Sequence, residues 1–331
     1  MRRLVRSAVA TAAAVAAAVG APVLPISADA AGAAQPVWVQ LQPQHSPPAL
    51  YGAAMAYDPQ LQQVLLFGGM GNSGLSSQTW AWDGADWSEL TPATSPPALY
   101  GATMFYDRGA GEIVLFGGIG KDGPSGETWA WDGSDWSQLS PAVSPPPLAF
   151  SATVGGGLFG GAGAAGQPLA GTWGGPSPTN WWQGPSSPPS ARYGAAAADD
   201  QATNEVVLFG GHSASGLLAD TWAWDGAWSQ LSPATSPPAS YGSSMGYYDG
   251  SGNGELILFG GVGASGYLSG TWAWDGSDWS QLSLQTAPSA RYEAAMAYDS
   301  ATGQLLLFGG TGPNGALDDT WAWEVPNWLP S

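Results

Sequence analysis

The chain has 331 residues, among them 49 Gly, 28 Pro and 19 Trp, and only 10% of its residues are charged. Its net charge of −18 argues against a nucleic-acid partner, which needs a basic footprint, and against docking on an anionic membrane surface. The lack of cysteine excludes disulfides, thiolate metal sites and cysteine nucleophiles, and a hydrophobic content of 44% argues for a packed all-β domain over disorder.

Residues 1–30 read as a secretory signal peptide. Arg2, Arg3 and Arg6 form a basic start, an Ala/Val-rich apolar run follows, and Ala28-Asp29-Ala30 fits a small-residue cleavage site. The competing reading is a membrane anchor, which the Pro22 and Pro25 flank disfavours. The mature protein is therefore expected to be extracellular, with no membrane insertion. Cleavage leaves four basic residues, Arg108, Lys121, Arg192 and Arg291.

After a linker over residues 31–37, Trp38-Val39-Gln40-Leu41 matches the last strand of the repeats that follow. It precedes the first complete repeat, and the chain end offers only a truncated counterpart over residues 327–331. Residues 38–41 are therefore predicted to pair into the last repeat and tie the two ends of the chain together, which removes an open sheet edge.

Two markers then recur six times. Phe-Gly-Gly begins at Phe67, Phe116, Phe159, Phe209, Phe259 and Phe308, and Thr-Trp ends at Trp80, Trp129, Trp173, Trp222, Trp272 and Trp321. Each repeat holds four strand-like pieces. In the first repeat these are a small-residue strand at 51–57, an apolar run at 64–67, Thr79-Trp80-Ala81-Trp82, and Trp87-Ser88-Glu89-Leu90. Four short strands in a repeat near 50 residues select a β-propeller, here of six blades. Asp-Gly turns at Asp83, Asp132, Asp225 and Asp275 supply positive φ, and Ser-Pro-Pro marks the crossings between blades. The third repeat departs from the pattern: Val154-Gly155-Gly156-Gly157-Leu158 shortens its first hairpin, and Gly174 replaces the second Trp.

The glycine pair after a hydrophobic strand, the Tyr-Asp of Tyr57-Asp58 and Tyr106-Asp107, and the later spaced tryptophans resemble the kelch family over residues 38–331. The resemblance implies four-stranded kelch blades. It does not fix a function, because that scaffold carries enzymes and binding proteins alike. Copper radical oxidases of this type need Cys and several His, whereas this chain has no Cys and only His45 and His212. Some bacterial kelch proteins are sialic-acid epimerases, which need acid–base residues near the axis.

Eighteen of the 19 tryptophans fall on repeat positions and read as packing residues before sugar platforms; only one of the pair Trp181-Trp182 lacks a slot. The repeated aspartates Asp58, Asp107, Asp249 and Asp299 read as turn formers, with calcium ligation as the alternative. Function on a repeat scaffold belongs where repeats disagree. Before the aromatic of the fourth-to-first loop stand Leu50, Leu99, Ala149, Arg192, Ser240 and Arg291, and Glu293 replaces a Gly or Ser of the other repeats. On the second-to-third loop His212, Lys121 and Tyr267 are singular. These six residues, Arg192, Arg291, Glu293, His212, Lys121 and Tyr267, are candidates for binding an anionic or polyhydroxylated ligand, with structural pairing of the arginines as the competing reading. No catalytic residue, metal or cofactor is assigned. The leading expectation is a monomeric, secreted binding or scaffold protein that recognises an extracellular protein or glycan; the alternative is a carbohydrate-active enzyme such as a sialic-acid epimerase.

Overall fold

A computed structural model describes residues 35–174, 181–185, 189–250 and 254–325. The expected signal peptide and the C-terminal strand remnant lie outside the described residues. Among the described residues there is no helix, and six four-stranded antiparallel sheets recur along the chain. In the first, Ala54–Asp58, Gln63–Phe67, Thr79–Trp82 and Trp87–Leu90 pair in sequence order. The architecture is a β-propeller.

The N-terminal strand is Val37–Gln40, starting one residue before the expected Trp38. It pairs antiparallel with Thr320–Glu324, matching Trp38 to Trp323. This sheet thus takes its outer strand from the start of the chain and its other three from the end.

The Phe-Gly-Gly and Thr-Trp marks have one shared cause. A Trp at the start of each outermost strand, or in the third sheet Trp181 just before it, donates its indole N–H to the Thr of the preceding sheet's third strand. Trp136 reaches Thr79, Trp181 Thr128, Trp228 Thr172, Trp279 Thr221, Trp38 Thr271 and Trp87 Thr320, at 2.9 to 3.3 Å. The same indole packs on the Phe of that preceding sheet's Phe-Gly-Gly, with ring centroids 4.9 to 5.6 Å apart. Six sockets therefore link each sheet to the next, and the sixth leads back to the first. Trp181 is the packed member of its pair, buried at 3% exposure, whereas Trp182 is 46% exposed.

The first-hairpin aspartates act as turn formers. Asp58, Asp107 and Asp200 each accept backbone N–H groups two and three residues on. In the third sheet, Ala152–Val154 and Gly157–Phe159 are joined by Gly155 and Gly156 alone, both at positive φ (52° and 74°) as a two-residue hairpin requires. The shortened hairpin leaves a cleft of about 820 Å³ between its neighbours, holding Arg108 and Asp199.

The socket predicts a specific loss. Thr221→Val keeps the shape but leaves the buried Trp279 indole N–H without an acceptor, which should lower unfolding stability by about 1–3 kcal/mol. Urea denaturation of the variant measures it, and an unchanged midpoint would show that the hydrogen bond does not contribute.

Candidate functional site

The first strands converge on an axis, where space permits only small or flexible side chains. A channel of about 190 Å³ is lined by residues 53–55, 102–104, 151–153, 195–197, 243–245 and 294–296, all Ala, Ser, Thr or Met. Among the described residues, no charged group lines it.

One end of the channel is finished by a closed ring of six peptide hydrogen bonds. Gly52 donates to Glu293, Gly101 to Gly52, Phe150 to Gly101, Gly194 to Phe150, Gly242 to Gly194, and Glu293 to Gly242, at 2.7 to 2.9 Å. All six residues have φ between 53° and 67°, the left-handed region that favours glycine. Four are glycine; Phe150 and Glu293, three places apart on the ring, are not. The third repeat is therefore shifted by one residue against the sequence alignment. Phe150 fills the ring position, and Leu148, not Ala149, precedes the position that tyrosine holds elsewhere.

Glu293 lies across this ring. Its Cγ is 3.4 Å from the place a Cβ on Gly242 would take, and its Oε2 is 3.4 Å from the corresponding place on Gly52. The residue as a whole is half-buried, but Oε2 is out of solvent contact and has no hydrogen-bond partner. Burial raises its carboxyl to about 8, so Glu293 is a neutral acid at ordinary pH. Left-handed backbone, desolvation and an unpaired oxygen each oppose folding at this one residue.

Around Glu293 stand the residues that precede the ring positions. Tyr51, Tyr100, Tyr193, Tyr241 and Tyr292 are partly exposed, each bridged by backbone pairing to the second-to-third loop. Their rings meet edge to face: Tyr51 with Tyr100 at 6.1 Å, Tyr193 with Tyr241 at 6.1 Å, and Tyr241 with Tyr292 at 5.8 Å. Burial first, and the charge of an ionised Glu293 second, raise the phenols of Tyr51, Tyr100, Tyr241 and Tyr292. These hydroxyls therefore stay protonated and available as donors.

The six residues singled out from the sequence part company here. His212 stacks on Tyr193 at 5.2 Å and meets Tyr241 at 5.8 Å, so it belongs to the mouth. Tyr267, 40% exposed, lies 5.8 Å from Tyr292. Lys121 is at an exposed turn and pairs with Asp122 at 2.8 Å.

Arg192 and Arg291 are not at the rim; each is 1% exposed. Arg192 grips Asp220 through both terminal nitrogens at 2.7 and 2.9 Å and bonds the Ser190 and Gly210 carbonyls. Arg291 repeats this with Asp319, Ser289 and Gly309. Burial would raise the Asp220 and Asp319 carboxyls, but the arginines, with Trp222 and Trp321, outweigh it and hold both below the usual range. The guanidinium donors are used inside the fold, which removes the reason for expecting an anion here.

What fold and site define is a β-propeller with an aromatic mouth around a buried acid. The solved structure of YjhT matches it with a TM-score of 0.66 over 86% of this chain and 98% of that one, at 19% identity. That likeness is one of fold. No protein-family model matches the chain, and no curated protein matches its sequence.

The raised carboxyl predicts a pH-dependent stability. The folded state holds a proton between about 4.5 and about 8 that the unfolded chain has released. The Glu293 contribution is thus fully present below about 4.5, declines by up to about 1.4 kcal/mol per pH unit, and is lost above about 8. Denaturation from pH 5 to 9 should show this slope in the natural chain and a flatter one in Glu293→Gln. Parallel curves would mean that Glu293 is ionised in the fold.

Proposed function

We propose that this chain is a secreted, kelch-type propeller of six blades, closed by its N-terminal strand, that binds a glycan at the tyrosine-lined mouth. Support for the six-blade reading comes from the cycle of Trp–Thr sockets and the six-membered peptide ring. Support for secretion is the leader sequence alone.

The observation that carries the binding reading is Glu293 as a neutral acid inside a ring of tyrosines. Aromatic faces take the apolar faces of sugar rings, while phenol and carboxyl groups exchange hydrogen bonds with hydroxyls at their edges. A sugar hydroxyl would also satisfy the unpaired Oε2 of Glu293. A neutral glycan fits better than an anionic one, because both buried arginines are committed elsewhere.

A second reading rests on the same carboxyl. A pKa near 8 suits a group that both gives and takes protons, as anomeric exchange of a sugar requires. Proton NMR of N-acetylneuraminate and of glucose with the mature protein tests it; exchange no faster than without protein eliminates catalysis on these sugars.

Capture of neutral glycans on an array should fall at least tenfold in Glu293→Gly, which removes the carboxyl and suits the φ of 53°, and in Tyr241→Ala, and should weaken above about pH 8 as Glu293 ionises. Capture that neither substitution changes, or capture of proteins alone, would overturn the glycan reading.

A further inference from the structure

Beside the mouth, the fifth sheet lacks something its neighbours have. In the fourth and sixth sheets a buried arginine and an aspartate fill one position, and the aspartate also accepts the indole N–H of the following Trp. Asp220 takes Trp222 and Asp319 takes Trp321, both at 2.7 Å. In the fifth sheet the arginine position is Ser240 and the aspartate position is Gly270. Elsewhere at least one of the two positions carries a larger side chain: Leu50 with Gln78, Leu99 with Glu127, and Leu148 with Gly171.

The double reduction leaves a pocket of about 320 Å³ lined by Ser240, Gly260, Gly270 and Trp272. The Gly260 carbonyl, counterpart of those bonded by Arg192 and Arg291, is satisfied instead by Ser243 Oγ at 3.0 Å, which in turn meets Ser240 Oγ at 3.1 Å. Trp272 gains no such substitute. Among the described residues its indole N–H has no acceptor, and its ring is half-buried where Trp222 and Trp321 are buried.

One aromatic residue connects the pocket to the mouth. Tyr267 lines it, and the same ring lies 5.8 Å from Tyr292, beside Glu293. The pocket thus offers an indole face with a free donor, the Gln281 amide, and an aromatic bridge to the central site. This is the chemistry of a second sugar subsite: a flat apolar face with hydrogen-bonding groups at its edge.

We propose that the Trp272 pocket is a second saccharide subsite, so that the protein recognises an oligosaccharide with one residue at Glu293 and another at Trp272, linked across Tyr267. It rests on the reading of the mouth as a glycan site. Trp272 donates its indole N–H to a sugar oxygen in place of the missing aspartate, and Tyr267 carries the linkage. Two subsites on one chain raise affinity without new contacts at either, as linked binding events do.

The test is to rebuild the ion pair of the neighbouring sheets. Ser240→Arg with Gly270→Asp refills the pocket, and Gly270→Asp alone gives Trp272 its acid partner; Gly270 does not have a positive φ, so neither needs a strained backbone. The probe is an array of neutral saccharides graded from one to six residues, read beside the Trp indole ¹⁵N–H spectrum. The natural chain should capture chains of two or more residues at least tenfold better than single residues, with one indole resonance shifting that Trp272→Phe removes. Both rebuilt variants should lose that preference while still capturing single residues. Equal capture of short and long chains by the natural protein, or a preference that survives both variants, would overturn the subsite. Loss of all capture on Glu293→Gly with the length preference gone only in the rebuilt variants supports both readings; capture indifferent to Glu293→Gly sinks the central site separately.

Discussion

The structure depends on one contact repeated around the axis: an indole seated between a threonine hydroxyl and a phenylalanine ring of the preceding sheet. The N–H has a single acceptor, so it fixes where the ring sits, and the phenylalanine edge fixes its tilt. Neighbouring sheets cannot slide against each other without breaking both. Hydrophobic packing alone would tolerate several registers; the hydrogen bond selects one. This is why Thr and Phe recur as strictly as Trp, and why Trp38, at the very start of the described chain, carries the same contact to Thr271.

Rigid outer sockets force the inner strands together, and that crowding creates the site. Backbones converging on the axis can close their hydrogen bonds only through a turn with positive φ, for which glycine is the unstrained residue. Glu293 stands in that turn with φ of 53°, and its Oε2 is stripped of water and unpaired. Relief of backbone strain alone would make a glycine there more stable, by roughly 1 kcal/mol. Strain of this kind concentrates where a side chain must be held in one place for a ligand. Phe150, the other exception, differs in kind: its ring packs on Tyr100 and covers Gly101, so its side chain is satisfied within the protein.

Much of this was legible before the structure. Periodic Phe-Gly-Gly and Thr-Trp revealed the four-stranded repeat because a contact between neighbouring sheets must recur at a fixed spacing. Glu293 stood out because it broke that spacing. The arginines stood out for the same reason, and misleadingly: their partners Asp220 and Asp319 sit 28 residues on, and only the shared spacing of the two pairs flags them. The tyrosine mouth was missed although its signal was present, in Tyr-Gly at 51–52, 100–101, 193–194 and 241–242. Regularity made these tyrosines read as scaffold, yet a ring of identical positions is also how a repeat protein surrounds a single ligand. The third repeat slipped by one residue because Phe150 mimics the aromatic that Ala149 replaces.

The allocation of charge then constrains what the mouth can recognise. Of the four basic residues after residue 30, Arg192 and Arg291 are closed into ion pairs, Lys121 pairs with Asp122, and Arg108 lies in the cleft made by the short hairpin of the third sheet. An acidic protein whose described residues bring no free cation to the mouth has little to offer a carboxylate or phosphate. Its means of donating hydrogen bonds there are phenols, the ring N–H of His212 and an acid kept neutral by burial. Such donors suit hydroxyl-rich, uncharged ligands, and the carboxyl is one of them only while Glu293 keeps its proton. The burial that makes the carboxyl a donor also makes the fold weaken as pH rises above about 5; by about pH 8, as Glu293 ionises, the donor is lost and the weakening is complete.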